Sequence, residues 1–300
     1  MQRIRYAITD KINICLFSFI IMVNLFQFFW LPVYLLSQDT RWGLSILLLV
    51  PLNNTMWFLI HEAIHHNLNS NNKVNELMGR ALSVMFGASF FVLSFGHIMH
   101  HGLNRKWESE FYKKDSGRFV KAKYYFKIFF GIYFTEVLGS LIMAFFKKDR
   151  VFRIAAVHDG YSEELQDKME NYFYKKDRIK KLEIDICLSV IFFISSLMMF
   201  GKFWPVFFAI IILRAVSISF MDNVFHYGTP ADNSVPGKQV RAARLVSMML
   251  LNGNYHGIHH SRPDIPWVFL PYETEHYGCR FNNETLARSM LMQLNGPNMV

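Results

Sequence analysis

The sequence predicts an all-α integral membrane bundle, with about four transmembrane helices in two hairpins and a substantial aqueous body. Three observations predict it. Hydrophobic residues make up 52% of the 300-residue chain and charged residues only 18%, with a mean hydropathy of +0.16, whereas soluble domains carry about 25% charge. The apolar residues collect in runs of bilayer length. The polar remainder lies between those runs, and its histidines are clustered just beyond their ends.

Residues 14–36 contain no charged side chain. At ~1.5 Å per residue they cover roughly 34 Å, enough to cross a bilayer core. The run follows Arg3 and Arg5, is too long for a signal-peptide core and has no small-residue cleavage site after it, so it is expected to be the first retained span. A polar turn from Ser37 to Arg41 leads to a second candidate span at 43–60, interrupted by Pro51, Asn53 and Asn54. Those polar groups should face other helices. Residues 81–96 are apolar but only sixteen long, which predicts a half-inserted or buried helix. Residues 125–146 could span by length, yet Lys127 and Glu136 interrupt them. They are expected to lie along the interface or re-enter, with Glu136 near the polar boundary. Residues 184–200 and 203–221 are joined by Gly201-Lys202, which predicts a tight helical hairpin, and Arg214 in its second arm should face a carboxylate or a polar cavity. No repeat, low-complexity tract or linker divides residues 1–300, so a single domain is expected.

The net charge is +9. The basic residues flank apolar runs instead of forming one aromatic-interleaved stripe, so no nucleic-acid partner is expected. Arg3, Arg5 and Lys11 precede the first span, and dense sets follow at 101–124 (Arg105, Lys106, Lys113, Lys114) and 147–181 (Lys147, Lys148, Lys175, Lys176). The two proposed outer turns carry one basic residue each, Arg41 and Lys202. The positive-inside bias therefore puts the N-terminus, the middle region and the C-terminus in the cytoplasm of a multi-pass protein, with a bacterial inner membrane favoured over the endoplasmic reticulum. The three cysteines, Cys15, Cys187 and Cys279, form no Cys-x-x-Cys pair, which argues against a zinc ribbon, an iron–sulfur site or a disulfide framework. Cys15 and Cys187 are expected to be packing residues.

The twelve histidines are concentrated in His61-Glu-Ala-Ile-His65-His66, His97-Ile-Met-His100-His101 and His256-Gly-Ile-His259-His260, with Asp222-Asn-Val-Phe-His226 as a fourth element. Residues three or four apart share a helix face, so His61 and His65 aim at one point and each His-x-x-His-His is expected to present three nitrogens to one region. At this histidine frequency one His-x-x-His-His is expected in roughly one chain in fifty, and two together far more rarely. Nine imidazoles exceed the three or four ligands that one zinc needs, and suit two metals of higher coordination number. Imidazole suits Zn, Cu, Fe or Ni, so ligand type alone leaves the metal open. Convergence requires every box to lie on one side of the membrane.

With HEAIH at 61–65, HIMHH at 97–101, DNVFH at 222–226 and NYHGIHH at 254–260, the chain resembles the membrane fatty acid desaturase superfamily, which includes lipid and carotenoid hydroxylases. The resemblance runs from about residue 40 to 275, leaving 276–300 as a C-terminal tail. It implies four transmembrane helices under a helical cytoplasmic cap that holds a di-iron site (two Fe ions), O2 as co-substrate, and a lipid or acyl substrate. It also implies electrons from ferredoxin or cytochrome b5 through a reductase. Carried over residue by residue, it makes His61, His65, His97, His100, His101, His226, His256, His259 and His260 iron ligands. Asp222 is then a water-mediated or outer partner, and His66 a neighbour. Glu62 either orients a ligand imidazole or is a solvated helix-end carboxylate. His158 and His276 stand outside every box. No His-Pro-Gly-Gly segment marks a fused cytochrome b5, so the donor is expected to be a separate protein that docks on the basic surface. The expected reaction is acyl desaturation. The alternatives are hydroxylation or ketolation of a carotenoid, sterol or alkane, a non-catalytic metal carrier or sensor, and a zinc hydrolase.

Overall fold

The computed structural model describes residues 2–103, 118–146, 163–174, 177–229, 237–277, 281–282 and 284–297. His158, Cys279 and the basic residues Arg105, Lys106, Lys113, Lys114, Lys147, Lys148, Lys175 and Lys176 lie outside the described residues. Among the described residues there is no strand, only two isolated bridges. The long helices are α1 (Gln2–Leu25, continued by π-helical Phe26–Leu35), α2 (Leu52–Ile64), α3 (Asn72–Phe86) and α4 (Phe90–Leu103). They continue with α5 (Arg118–Phe126, joined through π-helical Lys127–Gly131 to α6, Ile132–Phe145), α7 (Glu163–Tyr174), α8 (Arg178–Phe200) and α9 (Trp204–Val224). Short helices follow, including α10 (Arg244–Met249) and α11 (His256–Ser261).

Three helical stretches are long and apolar enough to cross a bilayer: Thr9–Leu35, Phe119–Phe145 and Arg178–Val224. Two bent pairs, Thr40–Leu49 with Leu52–Ile64 (44°) and Asn72–Phe86 with Phe90–Gly102 (100°), bring the number to five if each is one span. The molecule is thus a helical membrane protein. Its outer faces expose large apolar side chains such as Leu48, Ile191 and Met198. Cys15 and Cys187 are exposed on these helices and not packed inside, contrary to the expectation from their apolar neighbours.

Arg178–Val224 reverses at Gly201, where φ is +49°. The Phe193 and Phe207 rings lie 6.4 Å apart, whereas fourteen residues of straight helix would separate them by about 21 Å. The hairpin predicted from Gly201-Lys202 is present. Helix α3 runs parallel to α8 in register: Lys181 Nζ meets Glu76 Oε1 at 2.6 Å, Arg80 Nε donates to Asp185 Oδ1 at 2.8 Å, and Ser189 Oγ donates to the Val84 carbonyl at 3.0 Å, each pair 105 residues apart.

One predicted segment differs. Residues 81–96 are not one short helix but the junction of α3 and α4. Gly87 ends α3 at φ +102° and the chain turns by 100°. Residues 119–145 form one continuous helix packed lengthwise and antiparallel against α9, with Phe129 stacked on Phe220 at 5.6 Å and the Tyr133 N–H donating to Ser219 Oγ at 3.1 Å. Glu136 looked like an interruption because the sequence does not reveal that its side chain turns inward against Gly96 of α4.

Arg214 is fully buried and, among the described residues, meets no carboxylate. Its Nε donates to Asn53 Oδ1 (2.9 Å), Nη1 to the Met85 carbonyl (2.6 Å) and Nη2 to Asn24 Oδ1 (2.6 Å), with the Phe28 ring 5.0 Å away. The interrupting Asn53 of the second apolar run is therefore a partner for this cation and faces inward, as polar groups in a span should.

A candidate metal centre built from nine histidines

Helix ends deliver most of the histidines. His61 lies in the last turn of α2 and His65 is its C-cap. His97, His100 and His101 lie near the end of α4, and His226 follows the C-cap of α9. Helix C-termini carry partial negative charge, so their convergence favours a bound cation.

The segment after α9 folds back across these ends. Val240 and Asn254 exchange hydrogen bonds, the Asn252 side-chain amide donates to the Trp267 carbonyl, and Trp267 Nε1 donates to Asn13 Oδ1 of α1. Leu251 and Asn252 adopt positive φ to make this tight turn. It sets α11, with His256, His259 and His260, against the other boxes.

All nine predicted ligand histidines come together, in two groups whose candidate ligand atoms lie within 4.8 Å of one another. One group is His61, His65, His97, His101 and His259; the other is His100, His226, His256 and His260. The His-x-x-His-His boxes do not aim three nitrogens at one place. In each box the two residues four apart serve one group and the middle one crosses to the other. The four-residue repeat keeps His97 with His101 and His256 with His260 on shared faces, whereas His100 and His259 are rotated away. The stacked His101 and His260 rings, 4.1 Å apart, join the groups.

The donor chemistry fits cations. In the second group Nε2 separations are 3.0 Å (His100–His226), 2.7 Å (His226–His256) and 3.0 Å (His256–His260). Each imidazole nitrogen carries either a proton or a lone pair, so protons can satisfy at most two of these three contacts. A cation facing four lone pairs satisfies every nitrogen. In the first group the separations are 2.8 Å (His65–His97), 3.0 Å (His97–His101) and 3.3 Å (His101–His259). Ligands about 2.0–2.1 Å from a metal stand roughly 3 Å apart. Among the described residues both ring nitrogens of His61 are buried without a hydrogen-bond partner, as is His259 Nδ1, and such orphans call for an ion or water. Burial and the neighbouring imidazoles hold His256 and His259 well below the ordinary histidine range and His260 down to about 3. These rings are therefore neutral, as metal ligation requires.

The surrounding residues differ in role. Glu62 is buried, which removes the solvated alternative. Its Oε2 accepts from the Trp267 N–H at 3.1 Å, and its Oε1 lies 3.9 Å from His61 Nδ1, too far for a hydrogen bond. Asp222 Oδ1 accepts from Trp57 Nε1 at 2.9 Å. His66 is exposed at φ +61°, outside both groups. It lines a cavity of about 290 Å³ with Phe90, Phe91 and Arg178. His276 is exposed and stacks on Tyr272. Glu136, beside α4, is the acidic neighbour that no histidine motif marks.

No curated protein and no solved structure shows a significant match to the chain. The sequence profile of the fatty acid desaturase family matches residues 40–278, a span that contains every histidine of both groups. The chain belongs to the fatty acid desaturase family, a family of oxidoreductases.

Proposed function

We propose that this protein is a membrane-bound di-iron oxidoreductase that uses O2 and electrons from a separate protein to desaturate the acyl chain of a lipid or acyl thioester. The observation that carries the proposal is the partition of nine imidazoles into groups of five and four that share a stacked pair, inside a family match covering most of the chain. Nine nitrogen donors exceed the needs of a zinc hydrolase. When bound, two irons supply the redox chemistry that breaks an unactivated C–H bond, which no side chain can do.

The chain's own residues hold and orient. The nine histidines present neutral lone pairs, five to one ion and four to the other. Glu62, anchored on the Trp267 N–H, and Asp222, anchored on Trp57 Nε1, border the ligand set and limit its movement. Phe58 and Phe225 stand beside His61 and His256 and keep water from the buried side. Desaturation converts CH2–CH2, O2, two electrons and two protons into CH=CH and two waters. Hydroxylation uses the same oxidant and electrons but leaves one oxygen on carbon.

On this reading the histidine groups face the cytoplasm, an orientation the basic flanks support, and ferredoxin or cytochrome b5 with its reductase would dock there. The test is product analysis. Full-length protein in nanodiscs, loaded with iron and supplied with donor, reductase, O2 and membrane lipid, should yield acyl chains lighter by two hydrogens. His259→Ala should yield none while accumulating in the membrane. Lipid gaining oxygen without losing hydrogens would replace desaturation by hydroxylation. Zinc-loaded protein that consumes no O2 would overturn the oxidase chemistry altogether.

A further inference from the structure

Imidazole ligands are neutral. Two divalent cations held by nine of them would bring four positive charges into a largely buried site with no compensation from the ligands themselves. Uncompensated buried charge is costly, and the C-terminal ends of α2, α4 and α9 offer only fractional negative charge. Full counter-charges have to come from carboxylates outside the ligand set.

Glu62 borders the five-histidine group through His61. Near the four-histidine group the sequence motifs offer Asp222, one helical turn before His226. The structure adds a second carboxylate, set against Gly96 one helical turn before His100. Glu136 projects from the apolar stretch Phe119–Phe145 toward α4. A Cβ on Gly96 would stand 2.9 Å from Glu136 Oε1, so the carboxylate lies directly against this face of α4 and would have to shift if a Cβ were added. Gly96 directly precedes His97 and lies one turn before His100. Asp222 is close enough for its charge to act on Glu136. Among the described residues Glu136 makes no hydrogen bond and no salt bridge. A carboxylate inside an apolar helix with no partner among the described residues is expensive, and the cost is offset when a cation faces it.

We infer that Glu136 supplies counter-charge to the four-histidine group, a positioning residue that sets metal affinity and reduction potential through its field, across Gly96, without being a ligand. This rests on the metal-centre reading above. Glu136→Gln keeps the shape and removes the charge. Purified full-length protein in nanodiscs would be titrated with Co(II) or Fe(II) against a chelating dye. The wild type should bind two ions. Glu136→Gln should keep one site unchanged and weaken the other about 10–100-fold, and Glu136→Asp should restore most of that loss. The iron midpoint potential should shift positive in Glu136→Gln, because removing a negative charge favours the less positive reduced ion. If Glu136→Gln does not fold, Gly96→Ala, which displaces the carboxylate without altering its charge, should weaken the same site. Two tight sites of unchanged affinity and potential in the foldable variant would overturn the inference and leave the metal centre intact. Failure of the wild type to bind two ions would overturn the metal centre itself.

Discussion

His260 shows what the centre demands of single residues. Its imidazole lies among His100, His226 and His256, and burial with the neighbouring His100 and His65 lowers its pKa to about 3. His256 and His259 shift in the same direction for the same cause. Between about 3 and the ordinary value of 6.5, the unfolded chain therefore binds protons that the folded chain refuses. The stability linked to these neutral rings is fully present above pH 6.5 and is lost as the pH falls from there toward 3. The metal-free protein should accordingly show a falling Tm between pH 7 and 5 in detergent, measured by tryptophan fluorescence. A flat profile would mean that the histidines are solvated and not gathered. The same crowding gives the metals their affinity: each ring that avoids a proton keeps a lone pair available, so iron loading should weaken over the same acid range.

At the scale of elements, the turns decide where the boxes meet. The α8–α9 reversal was legible because Gly201-Lys202 interrupts two long apolar runs. The α3–α4 bend was not, because residues 81–96 are apolar on both sides of it and only Gly87 and Ser89 mark the break. The identities of the nine histidines could be read from their spacing, but their division into five and four depends on which helix ends approach which, a long-range property. Glu136 was hidden for a similar reason: its partner helix lies forty residues away in the chain. The bend also yields a stability prediction. Gly87 sits at φ +102°, and a Cβ there would stand 3.2 Å from Phe193 Cε2. Gly87→Ala should destabilise by ~1–2 kcal/mol, seen as a lower Tm with reduced iron loading, since α4 carries three ligands of the two groups. Unchanged Tm and loading would show that the bend does not depend on this residue.

For the whole molecule, the two helical hairpins give a consistent direction. Asn13, in the first half of the helical stretch from Gln2 to Leu35, donates to the Asn67 and Leu68 carbonyls just beyond the first box, so the stretch runs from the histidine end. Likewise α8 begins beside the start of α3, through Lys181 and Glu76. Helix α9 has 21 residues, about 31 Å of rise, close to the roughly 30 Å bilayer core. Its beginning at Trp204 is therefore a membrane thickness from His226. The first hairpin's turn reaches the same far end: a Cβ on Gly43 would stand 3.6 Å from both Leu36 Cδ2 and Val206 Cγ2. Arg41 and Lys202 sit at that end, and the denser basic runs of the sequence, at 101–124 and 147–181, are the ones the positive-inside bias assigns to the cytoplasm. Impermeant maleimide applied to intact cells should thus label Gln38→Cys and Lys202→Cys but reach Ser261→Cys only after permeabilisation. The native cysteines need replacing by Ser first, because Cys15 and Cys187 are exposed. Labelling of position 261 from outside would reverse the orientation and move the electron donor to the other face. Labelling of 38 and 202 from opposite sides would break the paired-hairpin arrangement on which the shared centre depends.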